Sequence, residues 1–269
     1  MARGIRSCGA APPAARLWGV NRVALHQSTV HPMSPVDLVE IARRAGLDAI
    51  GLRVAATAEA HEWWSHGIGS PMLPALVDAL LESRVTVLDI GRVELGPELR
   101  SVDFAHPYVR VLELGTRLGA QFVTARAGTG DPAELFPLLA ELAGRYRLRP
   151  LLTVVPGTPI DSVERALELV GGTSGGIVLD VDPRRDPAEL EESVVELGDR
   201  LGYVRILASA LEDLPEATPG LLATLPPHIP IAIGADEPGH LDSDQVARAT
   251  ALRRTVDAML RHPRAGAAV

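Results

Sequence analysis

The sequence contains no lysine, and all 26 of its basic residues are arginine. A Schiff-base aldolase, a pyridoxal-phosphate enzyme and a Walker-type phosphate loop each require a lysine amine, so those three chemistries are excluded. Codon usage biased towards Ala, Arg, Pro and Gly accounts for the absence and leaves the exclusion intact. Cysteine occurs once, as Cys8. A disulfide framework and a thiolate metal cluster are thereby excluded, and a reducing cytoplasm is the expected compartment. Positive charge is not in excess: the formal net charge is −8, whereas a nucleic-acid partner calls for a basic stripe. No apolar run approaches the length of a membrane span. The opening stretch MARGIRSCGAAPPAARLWG has no continuous apolar segment of the secretory type. Residues 1–20 are expected to form a loose tail.

What the chain does have is alternation. RVALHQS (Arg22–Ser28) reads as a strand. SPVDLVEIARRAG follows as a helix, with Ser34 as N-cap, Pro35 in the first turn and Gly46 as the stop. DAIGLRV and PALVDALLESR make a second strand–helix pair. VTVLDIG and HPYVRVLELGTRLG make a third, and AQFVTARAG and DPAELFPLLAELAGRYR a fourth. RPLLTVV and IDSVERALELV are the fifth, and GGIVLDV and DPAELEESVVELGDRLG the sixth. YVRILASA opens a seventh unit whose second half is broken by prolines 215, 219, 226 and 227. IPIAIGA and SDQVARATALRRTVDAML complete the eighth. The strands are continuous apolar runs, as in a parallel sheet buried on both faces. Eight such units over about 250 residues predict a single-domain (β/α)8 TIM barrel over residues 21–262, with an irregular seventh unit and a short tail at 263–269. A doubly wound open sheet is the competing fold, but the first strand-to-helix turn lacks the G-x-G-x-x-G of a dinucleotide site.

In a barrel the chemistry sits at the C-terminal ends of the strands. Asp180 and Asp182 alternate on the sixth strand and share a face, so they pair at the mouth or hold loops and turns. Arg53, Arg126 and Arg205 lie near the ends of strands two, four and seven, where a planar guanidinium suits a carboxylate or phosphate. Salt bridging to the many acidic residues is the alternative. His26, at the end of strand one, is either an acid/base group or a hydrogen-bonded core histidine. Asp89 and Glu94, near the end of strand three, carry the same ambiguity, and Glu94 is the best-placed glutamate for proton transfer. HEWWSH (His61–His66) holds two of the three tryptophans. Its histidines are five apart, about 140° around a helix, so they cannot form the zinc site of H-E-x-x-H, whose histidines are four apart. The segment falls in the loop after strand two. His61, Trp64 and His66 there form either a lid with ligand contacts or rim packing.

The opening strand, SPVDLVEIARRAGLDAIGLR and the sixth-strand GIVLDVDPRRDP together resemble the xylose-isomerase-like TIM barrels, the sugar and sugar-phosphate isomerases and epimerases, from about Arg22 to Leu260. The resemblance implies acid/base chemistry on a small polar molecule and a tendency to form homodimers. It also implies a divalent metal held by two glutamates, an aspartate and a histidine. Carried over by position, the fifth strand ends in Thr153–Val155 with no carboxylate. The sixth matches at Leu179 and Asp180, but the histidine position is Pro183. The seventh offers Arg205, Ala208 and Ser209, and the eighth Gly234, with Asp236 and Glu237 beyond. Only Asp180 corresponds to a ligand. A metal-free site is therefore expected, with divalent metal disfavoured, Asp180, Glu94 and His26 as catalytic candidates, and arginine anchors for an anionic small-molecule ligand. The rival is a descendant that binds a metabolite or a protein without turnover. A metal enzyme rebuilt on Asp182 and Glu237 is a third reading.

Overall fold

The helix starts are set locally. Ser34 Oγ accepts the N–H of Asp37 at the head of α1 (Pro35–Arg44), with Pro35 in the first turn. The same device opens α4 (Pro132–Arg145), where Asp131 accepts from Ala133 N–H, and α6 (Pro187–Leu197), where Asp186 accepts from Ala188 N–H. Each cap satisfies a donor that the helix cannot, and each proline sits where its missing N–H costs nothing. The remaining helices are α2 (Met72–Ser83), α3 (Pro107–Leu118), α5 (Val163–Val170), α7 (Ala208–Glu212) and α8 (Gln245–Leu260).

Between them run eight strands: β1 (Val23–His26), β2 (Ala49–Arg53), β3 (Thr86–Leu95), β4 (Phe122–Ala127), β5 (Arg149–Thr153), β6 (Gly176–Val181), β7 (Leu201–Leu207) and β8 (Ile231–Gly234). All pairings are parallel, and β1 pairs with β8, so the sheet closes into a (β/α)8 barrel. The structure, a computed structural model, describes residues 21–30, 33–54, 71–104, 106–184, 186–213, 220–235 and 244–261. Two elements depart from the expected bounds. β3 runs on to Leu95, because RVEL continues the alternation past Gly91. β7 begins at Leu201 and gives way to α7 at Ala208, which puts Ser209 in a helix rather than on a strand. α7 is only five residues long, so the seventh unit is the irregular one.

Period-two alternation divides each strand between two cores. One set (Ile50, Val123, Ile177, Val204, Ile231 and others) packs outward against the helices. The other fills the barrel: Ala24, Ala49, Leu88, Leu151, Val178, Tyr203 and Ala232, with Phe122 against them. Three alanines make room for the large side chains, and the Phe122 and Tyr203 rings stack tilted at 5.9 Å. Between β2 and β3 the register slips at Ile50/Gly51, so Ile50 faces Val87 while Gly51 faces Asp89. Next along the strands, on the mouth side of this apolar layer, come His26, Gly51, Asp89, Thr124, Thr153, Asp180, Arg205 and Gly234. The side chain after the filled core is therefore polar or absent on every strand.

Candidate functional site at the barrel mouth

β6 and β7 are in register at Asp180 and Arg205. Both residues point inward, and their side chains form a two-pronged pair: Arg205 Nε and Nη2 donate to Asp180 Oδ1 and Oδ2 at 2.5 and 2.6 Å. This is the fork-on-carboxylate geometry that gives arginine its directional strength. Gly234 on β8 leaves space for it, since a Cβ there would lie 3.2 Å from Arg205 Cδ. On the other side of the mouth Arg126 donates through Nε to Glu94 Oε1 at 2.9 Å and also through Nη2. Asp182 holds a turn, accepting the N–H of Arg184 at 2.9 Å. The backbone N–H of Arg53 is fixed by the buried Gln27 side chain.

Two arginines are left over. Among the described residues, no carboxylate pairs with the guanidinium of Arg53 or of Arg92. Arg92 lies in the field of Arg126, Arg53 and Arg205, and burial together with these like charges holds its pKa below the usual arginine value. Among the described residues, four guanidinium groups thus face two carboxylates, in a chain whose formal charge is −8. The described residues thus carry an excess of positive charge at this end of the barrel.

Below the arginines sit two groups with inverted charge preferences. His26 is pulled down to about 3, first by burial and then by the charges of Arg205, Arg92 and Arg53. Asp89 is 1% exposed, and burial pushes it up to about 7 against the opposing effects of the Tyr203 hydrogen bond and Arg205. Tyr203 OH lies 3.3 Å from Asp89 Oδ2, and His26 Nε2 lies 3.9 Å from the same oxygen. Gly51 makes the arrangement fit. A Cβ at that position would overlap both Asp89 Oδ1 and the His26 ring. Gly51→Ala is therefore expected to destabilise the fold by about 1–3 kcal/mol, as overpacked cores do. Thermal denaturation of the variant checks this, and an unchanged midpoint would show that the layer has slack.

The three expected catalytic residues have separate partners: Asp180 with Arg205, Glu94 with Arg126, and His26 with Ser28 and Asp89. His61, Trp64 and His66 lie outside the described residues, as do Asp236 and Glu237. The sequence marks Arg92 as a mouth candidate by its place near the end of strand three, but gives no role to Gly51, Ser28 or Tyr203. Tyr203 and Arg205 are two apart on β7, which does place them on one face. Nothing local shows that Tyr203 reaches Asp89 on β3.

Among the described residues, the donors at the mouth are not arranged for a divalent cation. Both oxygens of Asp180 already accept from a guanidinium, and Thr153, Arg205 and Gly234 occupy the other ligand positions. Among the described residues, no group of three or more His, Cys, Asp or Glu is placed to hold a metal. A recess of about 300 Å³ between α4 and α5, lined in part by Arg165 and Glu168, lies in the helical layer away from the mouth. Among the described residues, no helix is long and apolar enough to cross a membrane.

Comparison of the sequence with protein-family profiles and with curated proteins gave no match. Comparison of the structure did. A D-allulose 3-epimerase from Methylomonas sp. superposes with a TM-score of 0.63 at 16% identity, over 90% of this chain and 98% of that one. A xylose isomerase domain protein from Salmonella typhimurium gives 0.63 at 12%, with the same coverage. The chain has the same (β/α)8 barrel fold as these two proteins. Endonuclease IV from Thermus thermophilus shares it too, with a TM-score of 0.59 at 18% identity over 88% of this chain and 99% of that one. At these identities the likeness concerns the barrel, and chemistry has to be argued from the mouth itself.

Proposed function

We propose that the barrel mouth binds a small anionic metabolite bearing hydroxyl or carbonyl groups, of the sugar-phosphate class, and moves protons on it, as an isomerase or epimerase that uses no divalent metal. The observation that carries this reading is the pair of guanidinium groups, Arg53 and Arg92, that have no carboxylate ion-pair partner among the described residues, above a histidine that burial and the nearby arginines keep neutral. They match a phosphate or carboxylate by charge and by fork geometry. Arg126 and Arg205 are held in place by Glu94 and Asp180 and add to the field at fixed positions. The shared fold with a D-allulose epimerase and a xylose isomerase domain protein supports the reaction class. The charge a metal would supply next to a developing enolate is supplied here by guanidinium groups.

One observation favours a second reading, in which the mouth binds without turnover: Asp180 and Glu94 are both occupied as counter-ions. A single experiment separates the two. Inorganic phosphate and a panel of aldose and ketose phosphates are titrated into chelator-treated protein by calorimetry. The same panel is then incubated with the protein in D2O and followed by proton NMR. The expected result is binding, with solvent deuterium entering at the carbon next to the carbonyl of at least one compound. Binding with no deuterium entry anywhere overturns the catalytic reading, and no binding of any anion overturns both.

A further inference from the structure

Both ring nitrogens of His26 have defined surroundings. Nδ1 accepts the backbone N–H of Ser28 at 3.2 Å and lies 2.9 Å from Ser28 Oγ. A nitrogen that accepts an N–H presents its lone pair, so these bonds assign the ring proton to Nε2. Ser28 Oγ in turn accepts the N–H of Ala235 at 3.1 Å, just past the end of β8. Its own hydrogen is then directed at Nδ1. On the far side Nε2 faces Asp89 Oδ2 at 3.9 Å, and that oxygen also lies 3.3 Å from Tyr203 OH. Asp89 Oδ1 is buried and has no hydrogen-bond partner among the described residues. Every donor along this line points inward, and the line ends on one buried carboxyl group.

We propose that Asp89 is the terminal proton acceptor of the mouth, reached through His26 and Ser28. The inference rests on the reading that this mouth performs proton-transfer chemistry. A ligand O–H or acidic C–H gives its proton to Ser28 Oγ, whose own hydrogen passes to His26 Nδ1. The hydrogen on Nε2 passes to the Asp89 carboxylate, which becomes the acid. The electron pair of the broken bond stays on the ligand as an alkoxide or enolate, beside Arg53, Arg92 and Arg205. Running the chain in reverse returns a proton to the ligand. The imidazole changes tautomer and never becomes a cation, which suits its place among three guanidinium groups. Transfer requires the 3.9 Å gap to close to hydrogen-bond length. Ser28 is the group that touches the ligand, and His26 and Asp89 act through it as positioning residues. Burial pushes Asp89 up to about 7, so it exchanges protons near neutral pH. Among the described residues, the charged and titratable groups around the line are Arg53 on β2, Arg92 on β3, Asp180 on β6, and Arg205 and Tyr203 on β7.

The full-length protein, labelled with 15N-histidine and free of ligand, provides the test, with His26 assigned by its loss in His26→Gln. The expected spectrum shows a neutral ring protonated on Nε2, whose shift inflects near pH 7 as Asp89 titrates. In Asp89→Asn the inflection disappears. In Tyr203→Phe it moves to higher pH, because the lost hydrogen bond had favoured the carboxylate. A ring protonated on Nδ1, a featureless titration, or an inflection that survives in Asp89→Asn overturns the proposal. Should Asp89→Asn fail to fold, 13Cγ titration of the aspartates in wild-type protein decides the matter, since it must show one carboxyl titrating near 7. Ser28→Ala should lower deuterium exchange on the panel about 10²–10⁴-fold, the usual worth of general acid–base catalysis. Anion binding without the histidine inflection sinks this inference alone. The inflection without anion binding sinks only the functional reading on which it rests.

Discussion

A double variant, Arg53→Ala with Arg92→Ala, is expected to bind inorganic phosphate about 10²–10⁴-fold more weakly than the wild type. A hydrogen bond to a charged group contributes about 1.5–3 kcal/mol, and about 1.4 kcal/mol is a factor of ten, so each arginine accounts for roughly one to two decades. These two are the sensitive positions because, among the described residues, neither is held in an ion pair with a carboxylate. Arg126 and Arg205 have carboxylate partners, and their replacement also leaves Glu94 or Asp180 without one, which confuses the readout. Removing Arg53 and Arg92 strands no carboxylate among the described residues and relieves repulsion between like charges. The melting temperature should therefore hold steady or rise while affinity collapses. Lysine at either position is expected to restore only part of the affinity, since a point charge lacks the planar fork. Calorimetric titration at low salt measures all three variants. An affinity within a few-fold of wild type would remove the arginines from the site.

Phe136→Ala is expected to cost about 3–5 kcal/mol of stability, the usual range for truncating a buried aromatic. The corresponding fall in melting temperature is about 6–20 °C for a domain of this size. Phe136 on α4 is fully buried, and its ring lies over Gly175, just before β6. A Cβ at Gly175 would sit 2.6 Å from Phe136 Cε1. The glycine and the phenylalanine are thus two halves of one contact between the helical layer and the barrel. With the ring gone, nothing on the Gly175 side grows to fill the space, so the cavity term persists. Differential scanning calorimetry supplies the number. A drop of only 1–2 °C would mean that α4 slides inward and closes the void.

The barrel was legible in the sequence because its signals are local. The apolar runs, the Ser34, Asp131 and Asp186 caps and the prolines after them each act within a few residues. Where the reading slipped, local signals ran together. Leu207 and Ala208 are equally at home in a strand or a helix, and only the end of pairing with β8 settles that β7 stops there. The mouth was legible in part. Alternation alone puts Asp180 and Arg205 on inner faces of β6 and β7, but their mutual pairing depends on a register set by a slip at Ile177/Val178. Asp89 was ambiguous because its character comes from elsewhere: Gly51 on β2, Tyr203 on β7 and His26 on β1 together determine its burial and contacts. No window of sequence around VLDIG contains any of them.

The neutral pair at the bottom of the mouth has a thermodynamic signature of its own. Relative to its ordinary 6.5, a histidine held at about 3 binds fewer protons folded than unfolded, so its cost to stability grows as pH falls from 6.5 towards 3. Relative to its ordinary 3.8, an aspartate held at about 7 binds more protons folded than unfolded, so its cost grows as pH rises from 3.8 towards 7. Over the window the two share, the slopes are opposite and nearly equal. On folding, the chain takes up at Asp89 the proton it gives up at His26, and the net exchange of this pair with solvent is close to zero. Two buried ionisable groups that would each tie stability to acidity thus compensate one another, and their joint contribution stays nearly level between about pH 3.8 and 6.5.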